Sequence, residues 1–502
     1  MFSSLPLLSI LIWLPVLGAM IILMTDEKWA KRIAPAVTII TLLLCIPLYL
    51  GFDTSTYHMQ FQENKLWISA YQIHYSLGVD GISLSMIILT NFTGLLVILA
   101  GCEAIKKRLS QYMAAFLVMQ GMMVGVFAAL DAILFYVFWE GMLIPMYLSI
   151  GMWGSANRSY ASIKFFLYTF LGSILMLVAL LYLYRVTGTF EIQKFYGLHL
   201  PLNMQILLFL AFLLAFAVKV PMWPVHTWLP DAHTEAPSGG SVVLAALMLK
   251  LGIYGFLRFS MPIAPLAAQQ LDWVMIALSL IAIVYIGLVA IVQTDMKKLI
   301  AYSSIAHMGF ATLGCFMVYD IMRDTGNYHY AYLSIEGAVV QMISHAFGSG
   351  AMFLGVGILA DRFYNHSRLI KDYGGIAHKM PVFAAFFMLF AMSNVGLPGT
   401  AGFVGEFMVM LSSFYAHFWV ALLAMTTLVL AAAYTLWMYK RIFFGPVANQ
   451  YVEGFRDLTW IEKTNYTLLA IGVFFVGLYP AFILNILHAS IGYLLSVSLV
   501  GV

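Results

Sequence analysis

Stretches of about 20 apolar residues recur along the whole chain, each long enough as a helix to cross the hydrocarbon core of a bilayer. No water is available there to satisfy backbone N–H and C=O groups, so such stretches fold as helices that bond internally. Fourteen transmembrane helices are expected, near residues 4–24, 32–52, 81–101, 112–130, 132–152, 162–184 and 203–224, then 238–260, 272–293, 298–318, 332–360, 381–410, 416–439 and 464–489. The fold class is an all-α polytopic membrane protein. Hydrophobic residues make up 63% of the sequence and charged residues 9%, against about 25% charged in soluble domains. The first stretch has no basic run before it and no obvious cleavage site, so it reads as a retained span. Cys45, Cys102 and Cys315 lie far apart without C-x-x-C spacing and offer no zinc or iron–sulfur framework.

The loops test this count. Of the 25 Lys and Arg residues, 18 fall in one set of alternate loops: Lys28, Lys31, Arg32, Lys106, Lys107, Arg108, Arg158, Lys164, Lys297, Lys298, Arg362, Arg368, Lys371, Lys379, Lys440, Arg441, Arg456 and Lys463. Five fall in the other set (Lys65, Arg185, Lys194, Arg258 and Arg323), and Lys219 and Lys250 remain inside the spans. The positive-inside rule puts the first set in the cytoplasm and both termini outside. Asp53 to Asp80 is expected to form a hairpin or lie on the surface. Gly445 to Lys463, with YVEGFRDLTWIEK, reads as an amphipathic surface helix before the last span.

Two spans carry breaks, at KVPMWP and at NVGLPGTAGFVGEF. Pro221 and Pro224 cannot donate backbone hydrogen bonds, so the carbonyls of Ala217 and Val220 are expected to lose their helical partners. Paired interruptions point to a transporter site built on an internal repeat. The expected division is residues 1–111 (helices 1–3), 112–260 (helices 4–8), 261–440 (helices 9–13, inserted upside down) and 441–502. Coincidence is the plainer alternative, because Gly and Pro are common in membrane helices.

Six ionisable residues fall near mid-span: Glu140, Lys219, Lys250, His307, His345 and Glu406. A charge at the bilayer centre costs about 3 kcal/mol on insertion scales, so such groups face a bundle interior and mark ion or proton routes. Imidazole can pass a proton between its two nitrogens. The blander readings are a structural hydrogen bond for each histidine and a static ion pair for Glu140 with Lys219. Arg258 and Glu336 lie near span ends and read as interfacial.

FWEGMLIPMY, KVPMWPVHTWLPDAHTEAPSGGSVVLAALMLKLGIYG, QTDMKKLIAYSSIAHMGF and LPGTAGFVGEF resemble the antiporter-like proton-channel subunits of bacterial respiratory NADH:quinone oxidoreductase, complex I. The resemblance covers nearly the whole chain. Glu406 stands where the L- and N-type siblings usually carry lysine, and no long C-terminal extension follows, which points to the M-type branch of that family. The resemblance implies that Glu140 and Lys219 are a coupling pair and Lys250 a central relay. His307 and His345 would continue the axis to a terminal Glu406, with Tyr434 a weaker candidate for the exit. It implies no cofactor in this chain, with FMN, iron–sulfur clusters and quinone in partner subunits. The implied partners are other complex I membrane subunits, especially L- and N-type neighbours, with lipids, protons and water, and no nucleic acid. The implied location is the bacterial inner membrane. Alternatives are a D-type subunit of a multisubunit Na⁺/H⁺ antiporter, a membrane subunit of an energy-converting hydrogenase, and a membrane scaffold, which leaves the buried charges unexplained.

Overall fold

In the computed structural model, residues 5–499 are described; Ser4, where the first expected span begins, and the two chain ends lie outside them. The helices that matter below are α1 (Leu7–Leu23), α2 (Glu27–Leu50), α3 (Gly81–Ala104), α4 (Leu109–Ala128), α5 (Ala132–Trp153) and α6 (Arg158–Thr187). Then come α7 (Leu202–Lys219), the short α8 (Trp228–Glu235), α9 (Ser238–Ile263), α10 (Asp272–Ile291), α11 (Met296–Thr325) and α12 (Tyr328–Arg362). The last are α13 (Pro381–Val395), α14 (Ala401–Ala416), α15 (Phe418–Phe443), α16 (Trp460–Leu478) and α17 (Ala481–Ser498).

Thirteen of the described helices are long and apolar enough to cross a bilayer by themselves. The shorter α1 adds a traverse, and so does the broken pair α13–α14. By contrast, α16 and α17 form one traverse together, because they follow α12 antiparallel from end to end. Glu462 pairs with Arg362, Tyr466 donates to the Ala351 carbonyl, Gly472 packs on Phe347, Glu336 meets His488, and Gly492 packs on Tyr332. Fourteen traverses result among the described residues. The last is longer than expected, and its interruption at Tyr479–Pro480 has no counterpart in the sequence reading.

The loops carrying most of the lysines and arginines share one end of the bundle. Glu27 caps α4 at Leu109, Arg368 reaches both Asp295 and Ser155, and Arg362 holds Glu462. At the opposite end β1 (Gln60–Ile68) and β2 (Ile73–Val79) form an antiparallel hairpin, so the connection after α2 is the hairpin. Asp131 ties that hairpin down by accepting the His74 amide while it caps α5. Burial raises the Asp131 carboxyl above its ordinary range, against the backbone donors that favour its charged form.

The segment 445–463 departs from expectation. It is not an amphipathic helix: one helical turn, Gln450–Glu453, is capped by Asn449 and gives way to loop. Its polar residues serve as caps instead. The Asp457 carboxylate accepts from the amides of Val382 and Phe383 at the start of α13, and Thr459 with Glu462 forms a capping box for α16. Side chains spent on neighbouring helix starts leave no continuous polar face for a surface helix.

Candidate proton path in the bundle interior

The centre of the bundle is α9. Turns of π-helix at Leu244–Met248 and Phe256–Ser260 bracket Lys250, and π-turns inside helices often mark functional sites. The widened turn lets the Lys250 ammonium donate to the carbonyl of Ala245. Gly252 lets α9 close against the broken end of α7: a Cβ there would stand 2.8 Å from the Phe216 carbonyl oxygen and 2.9 Å from the Val220 nitrogen.

From Lys250 a chain of contacts crosses the second half of the bundle. Lys250 Nζ lies 2.7 Å from His345 Nδ1 on α12. The His345 ring faces the His307 ring of α11 with centroids 5.8 Å apart. His307 Nδ1 lies 2.9 Å from Glu406 Oε1, and Gln341 Nε2 donates to the same oxygen at 3.0 Å. All four titratable groups are buried, at 5% exposure or less. The second nitrogens of both histidines have no hydrogen-bond partner. Four of the six residues singled out from sequence therefore meet in one line.

Glu406 owes its place to the second break. Helix α13 ends at Gly396 with φ +82°, a left-handed conformation that glycine adopts without a steric penalty. After the turn, α14 brings Glu406 back against Gly396, where a Cβ would stand 2.8 Å from Oε2.

The other two residues stand apart from this line. Lys219, at the end of α7, is buried; its ammonium has no hydrogen-bond partner and lies 5.1 Å from the Trp139 ring centre. Glu140, the next residue on α5, is only half-buried and accepts from the Ser173 hydroxyl of α6. Glu140 and Lys219 make no ion pair in this conformation, because Ser173 and Trp139 hold them separately. Nor does Pro221 leave the Ala217 carbonyl unpaired: the Met222 amide reaches back to it at 2.7 Å. The Trp228 indole takes the neighbouring carbonyl of Val218 at 2.9 Å.

If the two charges meet when the subunit works, Glu140→Ala and Lys219→Ala should disable the same step. The double variant should then lose no more proton pumping than the worse single one. Coupled residues depart from additivity by about 0.5–3 kcal/mol; fully additive losses would mean that the two never pair.

Some polar residues of the interior escaped the sequence reading. His233 on α8 is fully buried, stacked on Phe353 with ring centres 4.3 Å apart, and neither ring nitrogen has a partner. Its charged neighbours are Lys297 and Lys250. Lys297 donates to the Ala236 carbonyl, and the two lie beside a cavity of about 730 Å³ at the basic-loop end, whose lining includes Glu235, Asp295, Asp361 and Arg368. The histidine in WLPDAHTEAP follows the first break, and that position was the one available signal. Tyr434, considered for an outward exit, bonds to Ser303 near the start of α11 and so stands on the basic-loop side. Arg258 lies near the outer span end, as expected, level with the cap of α3 and the end of α4, but it faces protein. Its side chain is 12% exposed and ion-paired with Asp80, because Ser83, Tyr254 and Asp80 surround it with acceptors.

Residues 129–431 match the family model described as NADH:quinone oxidoreductase/Mrp antiporter, TM. NADH-quinone oxidoreductase subunit M of Rhodobacter capsulatus is 46% identical, over 97% of this chain and 96% of that one. A chain of respiratory complex I from Thermus thermophilus superposes with a TM-score of 0.87 at 27% identity, covering 98% of this chain and 99% of that one. A chain of the Mrp complex from a Dietzia species shares the fold, with a TM-score of 0.82 at 20% identity, over 97% of this chain and 52% of that one.

Proposed function

The chain belongs to the transmembrane family shared by NADH:quinone oxidoreductases and Mrp antiporters, and from that membership we propose that its buried titratable line is the route by which protons cross. It is a proton-translocating, multi-pass membrane subunit of NADH:quinone oxidoreductase, of the M type. The observation that carries the route is the run Lys250–His345–His307–Glu406, hydrogen-bonded at both ends and joined in the middle by two facing imidazole rings 5.8 Å apart.

A proton enters from the basic-loop end through the cavity beside Glu235 and Lys297, passes His233 and reaches Lys250. Lys250 gives it to His345 Nδ1, already at hydrogen-bond distance. His345 releases from its free Nε2 toward His307; a ring separation of 5.8 Å requires ring rotation or one bridging water. His307 Nδ1 delivers to Glu406. Glu140 and Lys219 act upstream: bringing the carboxylate to the ammonium, or removing it, changes how readily Lys250 holds its proton.

The driving redox chemistry belongs to other subunits, which hold FMN, iron–sulfur clusters and quinone. Glu140 sits half-exposed at membrane depth beside the exposed Val137 and Ile144, a face that suits an L- or N-type neighbour better than lipid. The concentration of Lys and Arg at one end supports a bacterial inner-membrane location with both termini outward. The breaks after Lys219 and at Gly396 support reading 112–260 and 261–440 as inverted repeats.

His345→Gln tests the route. Glutamine fills most of the same space but cannot relay a proton between two nitrogens. A positioned proton-transfer group contributes about 10²–10⁴-fold, so NADH-driven acidification of inverted membrane vesicles should fall at least about 100-fold. The complex should still assemble, as judged by co-purifying subunits and NADH oxidation by an artificial acceptor. Wild-type acidification would remove His345 from the route.

A further inference from the structure

Two turns beyond Lys250 on α9, away from the basic loops, lies Arg258, at about 12 Å for eight residues of helix. It is a charge buried in protein at the outer end of the bundle. The guanidinium pairs with Asp80, the residue that caps α3. Its Nη2 donates to Ser83 Oγ at 2.9 Å and its Nε to Tyr254 Oη at 3.1 Å. Both hydroxyls are committed on their other side. Ser83 donates to Asp80 at 2.9 Å, and Tyr254 donates to the Phe127 carbonyl at the end of α4, also at 2.9 Å. The Tyr196 hydroxyl takes the backbone carbonyl of Arg258. Burial disfavours a charged Asp80, but the adjacent Arg258 outweighs that and holds its carboxyl below the ordinary range.

Hydroxyls in a line make a good proton wire when their lone pairs are free to accept. Here Ser83 and Tyr254 each accept from a cation that does not deprotonate in proteins, and the two hydroxyls also contact one another at 3.2 Å, so neither is free to turn toward Lys250. Oriented donors and a fixed positive charge exclude protons from otherwise polar pores by the same means. The outward side of the His307–Glu406 half contrasts with this. There the buried hydroxyls of Tyr319, on α11, and Ser413, on α14, have no hydrogen-bond partner and remain able to accept.

We propose that Arg258, held by Asp80, Ser83 and Tyr254, seals the outward side beneath Lys250, so that a proton reaching Lys250 leaves sideways through His345 instead of leaking straight across. The proposal rests on the relay reading of Lys250 and adds to it the reason that transfer is lateral. A unit charge about 12 Å from Lys250, at an effective dielectric of about 20, is worth roughly a tenfold factor in rate. Asp80 takes part of this away, and the occupied lone pairs add to it.

The test uses the purified whole complex in sealed vesicles, with passive proton flux measured under an imposed pH difference without NADH. Removing Arg258 alone would strand Asp80, so the informative variant is Asp80→Asn with Arg258→Gln, which removes both charges and keeps polar side chains of similar shape. Its passive flux should rise severalfold, up to roughly tenfold, because Asp80 cancels part of the charge term while the freed hydroxyls add to it, and adding Lys250→Ala should return the flux to the wild-type level. Arg258→Lys, which keeps the charge, should stay tight. A tight neutral pair overturns the proposal, and so does a leak that persists without Lys250. The relay reading fails separately: Lys250→Ala with normal NADH-driven pumping overturns it and the seal together, whereas loss of pumping beside a tight neutral pair overturns the seal alone.

Discussion

Lys250→Ala is expected to reduce NADH-driven proton pumping at least about 100-fold while the complex still assembles. Among the described residues Lys250 is the only amine that touches the histidine pair, at 2.7 Å from His345 Nδ1, and its side chain is wholly buried. Truncation removes a buried ammonium and leaves the Ala245 carbonyl in its π-turn, so no uncompensated charge remains to unfold the bundle. The decisive companion is Lys250→Arg. A guanidinium preserves the charge and can donate to the same partners, but it does not give up a proton at any working pH. A static charge that merely fixes helix packing would be rescued by arginine; a relay would not. Inverted membrane vesicles report both quantities, acidification from a pH-sensitive dye and assembly from NADH oxidation by an artificial acceptor. Arginine restoring wild-type acidification would sink the relay role.

The number of traverses, the two breaks and most of the central line were legible because lipid leaves few options. A 20-residue apolar stretch must be a helix, and an ionisable residue inside it must find a polar interior. Those constraints act on each residue separately, and they put Lys250, His307, His345 and Glu406 in the bundle interior, where the structure has them buried, before any partner was known. What they did not give is pairing. Ser173 as the partner of Glu140 and Gln341 as the second donor to Glu406 depend on which faces of distant helices meet. Arg258 lies at the span end, as its position suggested, yet its partner, the cap residue of α3, stands 178 positions earlier and gave no sequence signal. The segment 445–463 was misread for a related reason. Its apolar spacing suggested a surface helix, while Asp457 is fixed by two amides of another helix. The Ala217 carbonyl kept a partner because the chain after Pro221 turns tightly enough for Met222 to reach it.

Glu406→Gln is expected to abolish coupled proton transfer with the least structural disturbance of any substitution in the line. Glu406 Oε1 accepts from His307 Nδ1 and Gln341 Nε2, while Oε2 lies over Gly396. A glutamine carbonyl oxygen can take the Oε1 place and keep both donors, and its amide takes the Oε2 place over the glycine. Only the capacity to bind and release a proton is lost, so pumping should fall by about 10²-fold or more. Glu406→Asp withdraws the carboxylate by one methylene from His307 and should retain part of the activity. Glu406→Lys is the sharper comparison. An ammonium brings no acceptor, yet its surroundings can adapt, because the Gln341 carbonyl oxygen is unpartnered and amide rotation would present it. His307 can likewise move its proton to the free Nε2 and accept through Nδ1. Lysine therefore exchanges one titratable group for another inside the same pocket, and partial pumping is expected from it. Glutamine that pumps like wild type would instead leave Glu406 as a packing partner of His307 and Gln341, with the proton leaving the line at a histidine.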